Sequence, residues 1–251
     1  MQVKNILKLL VIFFFTLIGI LESRPKDYPI TPVPFTNVKV LDEFWAPRLK
    51  INKEVTIPIA FKMAEETGRI ANFKIAGKLM KGKFRTQYPF DDSDIYKNIE
   101  AASYSLQIMP DSVLEAYVDK LITYIAAAQE PDGYLYTCRT IDPLHPHEWS
   151  GLKRWEREDE LSHELYDAGH MYESAVAYYL ATGKRTFLNI ALRNADLVER
   201  EFGWGKIEKA PGHQVIEMGL VKLYRVTGDE RYLRLAKFFI DVRGQRPELG
   251  D

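Results

Sequence analysis

The sequence predicts an all-α protein whose helices pair into hairpins arranged around a central cavity, and three observations carry that expectation. Apolar residues recur at helical spacing through most of the chain, while no run of strict alternation lasts long enough for a sheet. One helical pair is repeated. "YLATGKRTFLNIALRNAD" from Tyr179 aligns with "YRVTGDERYLRLAKFFID" from Tyr224 at a 45-residue offset, matching Thr182 to Thr227, Gly183 to Gly228, Leu188 to Leu233, Ala191 to Ala236 and Asp196 to Asp241. A helix, a Thr-Gly turn and a second helix cannot bury an apolar face alone, so such units stack or close into a ring. Third, residues 163–181 read as a helix with two enclosed faces. Leu165, Ala168, Tyr172, Ala175, Val176 and Tyr179 form a core stripe, and His163, Tyr166, His170, Glu173, Ser174 and Ala177 lie opposite with no Lys or Arg among them. A helix in the inner layer of a double ring meets those two environments.

The elements follow in order. Lys4 and Lys8 precede an apolar run, "LLVIFFFTLIGIL", that is short for a membrane span and suits a signal-peptide core. Residues 1–23 are therefore expected to be removed on export to the periplasm or the exterior, with an uncleaved anchor as the alternative and no membrane attachment of the mature form. Residues 24–34, bounded by Pro25 and Pro34, form an extended lead-in. Helices are predicted over Asn52 to Glu66, Ile95 to Ile108, Val113 to Gln129, His163 to Ala181, Thr186 to Glu201, Gln214 to Val226 and Glu230 to Val242. Ser112 with Glu115 offers a capping box, and Gly183 and Gly228 sit where helix ends take a left-handed residue.

At 251 residues, 46% hydrophobic and 27% charged, the composition is that of an ordinary globular chain. A net charge of -1 with interspersed signs leaves no basic stripe for nucleic acid and no polybasic membrane patch. The partner expected is a small molecule. The single cysteine, Cys138, has no disulfide partner within the chain and reads as a small packing residue.

The residues that could carry chemistry centre on "HELYDAGHMYESA". His163 and His170 are seven residues apart, two helical turns, so they return to within about 20° of one face. The zincin motif spaces its histidines four apart, which favours a polar ligand cavity over a metal here. "PGHQVIEMGLVKLY" brings His213, Glu217 and Tyr224 to one side at i, i+4 and i+11. In "DDSD", Asp91, Asp92, Ser93 and Asp94 crowd a helix start, where most cap and one, Asp94, is left to bind sugar hydroxyls. "EPDGYLYT" contributes Tyr134 and leads into a loop, Tyr136 to Leu161, of the length lids have. That loop carries His145, His147, Trp149 and Trp155, and Trp149 suits stacking on a sugar ring. His145-Pro-His147 could recruit a metal but has no third ligand nearby, and one cysteine and five histidines scattered over unrelated elements show no converging metal set.

Taken together, "DSDIYKNIEAASYSL", "AAQEPDGYL", "HELYDAGHMYESAVAYY", "ATGKRTFL", "PGHQVIEMGLVKLYRVTGDERYL" and "FIDVRG" resemble the N-terminal part of glycoside hydrolase family 127, the β-L-arabinofuranosidase-like proteins. The resemblance implies an (α/α)6-type helical toroid, with residues 35–251 supplying about four of its six hairpins. It implies a retaining hydrolase acting on terminal L-arabinofuranosides, whose nucleophile is a zinc-held cysteine. Cys138 matches none of the family's zinc cysteines, so no catalytic residue and no zinc is expected in this chain. His163 of "HELY" and His213 of "PGH" match family histidines that contact the arabinose, while Asp167 stands where many relatives carry an apolar residue or cysteine. Competing readings are another helical-barrel glycan enzyme, such as an unsaturated glucuronyl hydrolase, and a non-catalytic sugar-binding or scaffold module. An incomplete ring also exposes apolar edges, which predicts self-association.

Overall fold

Helix follows helix in the computed structural model, which describes residues 30–245 and, among them, contains no strand beyond an isolated bridge between Phe202 and Ile207. The predicted signal peptide lies outside the described residues, as do residues 24–29 of the lead-in. Residues 30–38 belong to a unit of their own, whose regular feature is one 3-10 turn, Phe35–Asn37. In the larger unit the helices are α1 (Trp45–Ile51), α2 (Ile57–Glu66), α3 (Arg69–Ala76), α4 (Asp92–Ile108), α5 (Ser112–Ala128), α6 (Thr137–Ile141), α7 (Glu164–Thr182), α8 (Thr186–Glu201), α9 (Ile216–Thr227) and α10 (Glu230–Arg243). A π-helical stretch, Asn52–Thr56, joins α1 to α2.

The layering follows from which faces are apolar. α4 packs on α7 and α7 on α9 to form an inner row, and α5, α8 and α10 return behind them as an outer row. This is the all-α toroid segment expected from the repeat. α7 is buried on nearly every side, as its lack of Lys and Arg predicts. Outer α8 buries one stripe that includes Phe187, Leu188, Ala191, Ala195 and Val198.

The repeated turns match bond for bond. Gly183 and Gly228 both take left-handed geometry, at φ 73° and 74°, and their N–H groups donate to Tyr179 O and Tyr224 O at 2.8 and 2.7 Å. The hydroxyls of Thr182 and Thr227 donate to Tyr178 O and Leu223 O, each at 2.7 Å, and accept from Lys184 N and Asp229 N. This satisfies carbonyls and amides that helix ends would leave open.

The inner helices approach closely where side chains are absent. A Cβ on Gly169 of α7 would lie 2.5 Å from Ile216 N, and one on Gly219 of α9 would lie 2.8 Å from Gly169 O. Further along, Lys222 of α9 pairs with Glu173 of α7 at 2.7 Å and with Glu100 of α4 at 3.5 Å, joining all three inner helices.

Several boundaries differ from the sequence reading for local reasons. The first helix begins before Asn52, and α3 was not predicted, because eight residues between Gly68 and Gly77 give periodicity little length to register. α5 is capped by Asp111, not Ser112: its carboxylate accepts from Val113 N and Leu114 N, both at 3.1 Å. α9 begins at Ile216, so His213 arrives on a loop, outside the helical spacing assigned to it.

Candidate functional site

The inner helices begin at one end, and the site is built there from the residues at their starts. His163 caps α7 in a left-handed conformation, φ 56°, rare for a residue with a Cβ. Its ring centroid lies 4.7 Å from that of His213 and 4.7 Å from that of Phe90, just before α4. Tyr166, one turn along α7, sits 5.6 Å from His213 and 4.5 Å from His170. Phe90 continues outward into Tyr88 and Trp149, whose rings are nearly parallel to it at 5.5 and 6.5 Å. The structure therefore brings His163, His213, His170 and Trp149 into one aromatic run.

Burial sets the electrostatics of this run. The His163 imidazole is pushed down to about 4 by desolvation and by His213 beside it. His170 is also pushed down to about 4, by desolvation and by the Lys97 ammonium. Both rings are neutral at pH 7, and neutral imidazoles offer one donor and one acceptor each. Lys97 supplies the positive charge, donating to Tyr166 OH at 2.7 Å with its ammonium over the Tyr166 ring. The result is a floor of flat rings, neutral donors and acceptors and one cation, which suits a polyhydroxylated ring.

Other predicted residues are placed differently. Tyr134 is fully buried and its hydroxyl donates to Glu164, so it stands behind the start of α7 and offers a ligand no surface. Asp94 pairs with Arg69 at 2.6 Å and lies near Lys97. Glu217, in the first turn of α9, is raised by desolvation and has one buried oxygen, Oε2, without a hydrogen-bond partner. The predicted lid is tied down. Arg139 donates to Gly151 O at 3.1 Å, Tyr136 OH donates to Ser162 O at 2.7 Å, and Trp155 is buried against Tyr134 and Phe202. Sequence reasoning missed Phe90, Tyr88 and Lys97: "YPF" precedes a helix without periodicity, and Lys97 reads as an ordinary charged position.

Behind the floor lies a set of buried carboxyls. Asp92 accepts from Thr137 N at 2.7 Å and from Thr137 Oγ1 at 2.6 Å, and burial pushes it up to about 7. Glu164 is likewise pushed up to about 7 by burial, and Asp167 and Glu158 are driven well above the carboxylate range by the same cause. Among the described residues one group has converging metal-ligand atoms: Glu100, His170 and Glu173, all within 4.8 Å of one another. The sequence showed no such set because Glu100 comes from a different helix. The Lys222 ammonium already sits against both of its carboxylates. A thiolate-bound zinc does not fit the residues present: Cys138 is buried, desolvation pushes its thiol up to about 12, and the sequence has no second cysteine.

Residues 37–250 match the family model described as beta-L-arabinofuranosidase, GH127 catalytic domain. The chain is 42% identical over 181 residues to a non-reducing end beta-L-arabinofuranosidase of Bifidobacterium longum subsp. longum, covering 71% of this chain and 27% of that protein. A solved GH127 beta-arabinofuranosidase superposes with a TM-score of 0.83 at 55% identity, covering 88% of this chain and 35% of the other. A GH127 beta-L-arabinofuranosidase from Geobacillus stearothermophilus T6 gives a TM-score of 0.78 at 41% identity, covering 84% and 33%. The chain thus spans about a third or less of the length of these relatives. No helix among the described residues is long and apolar enough to cross a membrane. Matched by the family model from residue 37 to residue 250, this chain belongs to glycoside hydrolase family 127.

Proposed function

We propose that this chain supplies the sugar-binding floor of an exported glycoside hydrolase that removes terminal L-arabinofuranosyl residues from plant-type glycans. The observation that carries the reading is the pairing of His163 and His213, rings 4.7 Å apart on separate elements, flanked by Phe90 and Tyr166. The neutral His163 imidazole offers a sugar hydroxyl both a donor and an acceptor, while the aromatic neighbours cover the apolar face of a furanose and fix its orientation. The thiolate and zinc chemistry of the family falls to residues this sequence does not contain, so the chain alone binds without turnover. Exposed apolar residues on α9 and α10, Met218 and Ile240, favour self-association of the isolated chain. Export rests on the charged and apolar start of the sequence, and N-terminal sequencing of secreted material tests it.

Calorimetric titration of residues 24–251 with L-arabinose tests the central claim. Measurable binding that falls about tenfold or more in His163→Ala, with the helical spectrum unchanged, is the expected result. Equal affinity in parent and variant overturns it.

A further inference from the structure

Glu158, Ser162 and Glu164 form a hydrogen-bond arrangement in which the donors do not balance unless a proton is added. All three are buried, with Glu158 and Ser162 at 0% exposure. The Ser162 hydroxyl oxygen lies 3.3 Å from Glu158 Oε2 and 3.1 Å from Glu164 Oε2. A serine hydroxyl has one hydrogen and can donate to only one of them, so the other contact joins two bare acceptors unless that carboxyl is protonated. The remaining donors decide which one. Glu164 already accepts from Trp155 N at 2.8 Å and from Tyr134 OH, which suits the ionised form. Glu158 accepts from Leu165 N at 3.1 Å and feels the Glu164 backbone N–H as well, but its buried Oε1 has no partner, whereas both oxygens of Glu164 are bonded, and an orphaned oxygen suits the neutral carboxyl. The proton therefore belongs to Glu158, which donates to Ser162, which donates to Glu164.

This chain of bonds fastens both halves of the sugar floor. Ser162 and Glu164 flank His163 in sequence, and the Glu164 carboxylate holds Trp155 N, so left-handed Trp155 is tied to the residue that follows left-handed His163. The backbone carbonyl of Glu158 accepts from Gly212 N at 2.9 Å, next to His213. Gly212 packs so tightly that a Cβ there would lie 2.8 Å from that carbonyl and 3.3 Å from His163 Nδ1.

We infer that Glu158 carries the one proton of the Glu158–Ser162–Glu164 set and that this set is a positioning element that holds His163 against His213. Burial raises both carboxyls, and the charge of Glu164 further opposes ionisation of Glu158. The charged and titratable groups facing the pair are Arg139 and Cys138 from α6, Asp167 from α7, and Tyr134 and Tyr136 from the turn before α6. Arg139 favours the ionised form of Glu164, and Asp167 disfavours a second negative charge. The inference assigns no sugar and deepens the proposed binding floor by naming what holds it.

The test uses the chain with isotope-labelled glutamate, which separates glutamate carbonyl bands from those of buried Asp92 and Asp167. At neutral pH the parent is expected to show an infrared band of protonated glutamic acid that is lost in Glu158→Gln and kept in Glu164→Gln. Magnetic resonance of the imidazoles supplies the second readout. Glu158→Ala should shift the His163 and His213 signals and weaken L-arabinose binding by about tenfold or more, while Glu158→Gln, the uncharged isostere, restores the signals. Persistence of the acid band in Glu158→Gln, or unmoved histidine signals in Glu158→Ala, overturns the inference. If Glu158→Ala does not fold, the band in Glu158→Gln still decides. Neither spectroscopic readout needs a sugar, so a failure to bind L-arabinose would count against the proposed function and leave this test intact.

Discussion

The hairpin α7–α8 and the hairpin α9–α10 share a turn and differ at the end where each begins. Their Thr-Gly turns agree in dihedral angle and in each hydrogen bond compared. Their starts have nothing in common. α7 opens on a buried, left-handed His163, whereas α9 opens three residues after an exposed His213. At the 45-residue offset His163 corresponds to Glu208, and His213 to Ala168, so the paired histidines are not repeat equivalents. The scaffold is repeated by local rules, while the site is assembled across the repeat.

The strongest way to break the comparison is at the inner crossing, where the equivalents also differ: Gly169 corresponds to Gln214 and Gly219 to Ser174. Gly169→Val places side-chain atoms on the backbone of Ile216 and should cost about 3 kcal/mol or more in denaturant unfolding. A loss under about 1 kcal/mol would mean the helices part easily.

Acidification sharpens the contrast next, because His163, Glu164 and His170 all lie in the first hairpin's start. The histidines are depressed to about 4, so the stability they contribute is present above their ordinary value of about 6.5 and is lost as pH falls through about 4. Asp92 and Glu164 are raised to about 7, so theirs is complete below about 4 and is lost as pH rises through about 7. The two slopes oppose each other across the same window. Joint His163→Gln and His170→Gln substitution removes one of them, and the variant should gain stability relative to the parent between pH 7 and pH 5, on the order of 1 kcal/mol per histidine. Parallel melting curves for parent and variant across that range would contradict the assignment.

The turns should respond alike. Gly183→Ala and Gly228→Ala each force a Cβ into a left-handed turn with open space around it, and each should cost about 1 kcal/mol. A difference between them larger than that cost would show that the repeat is only superficial. Smallest of all, Thr182→Val and Thr227→Val remove the same bonds and should lower stability by about 0.5–1 kcal/mol each, read as matching shifts in urea midpoint.

What was legible in the sequence follows the same division. Long amphipathic helices announce themselves by periodicity, and Gly183 and Gly228 by chemistry, so the inner and outer rows were readable. The eight-residue α3 and five-residue α6 were too short to register. At the site, His163 and His170 were found through helical spacing, but His213 was found for an incomplete reason, since it lies off the helix. Phe90 reaches His163 only through folding, and Tyr134, an aromatic in a turn, turned inward to Glu164. Periodicity reports which way a helix faces; it carries no information on which loops meet there.

The Lys222 contact bears on the order in which the chain is put together. Its ammonium joins partners 122 and 49 residues back along the sequence, one on each of the other two inner helices. Such a contact can form only after the three inner helices have been brought side by side, when most of the loop-closure entropy has already been lost. It therefore favours the native arrangement late and does nothing to nucleate it, which places Lys222 among positions whose substitution speeds unfolding and leaves the folding rate nearly unchanged. Individual hairpins lack it, so it adds nothing to a hairpin that forms alone.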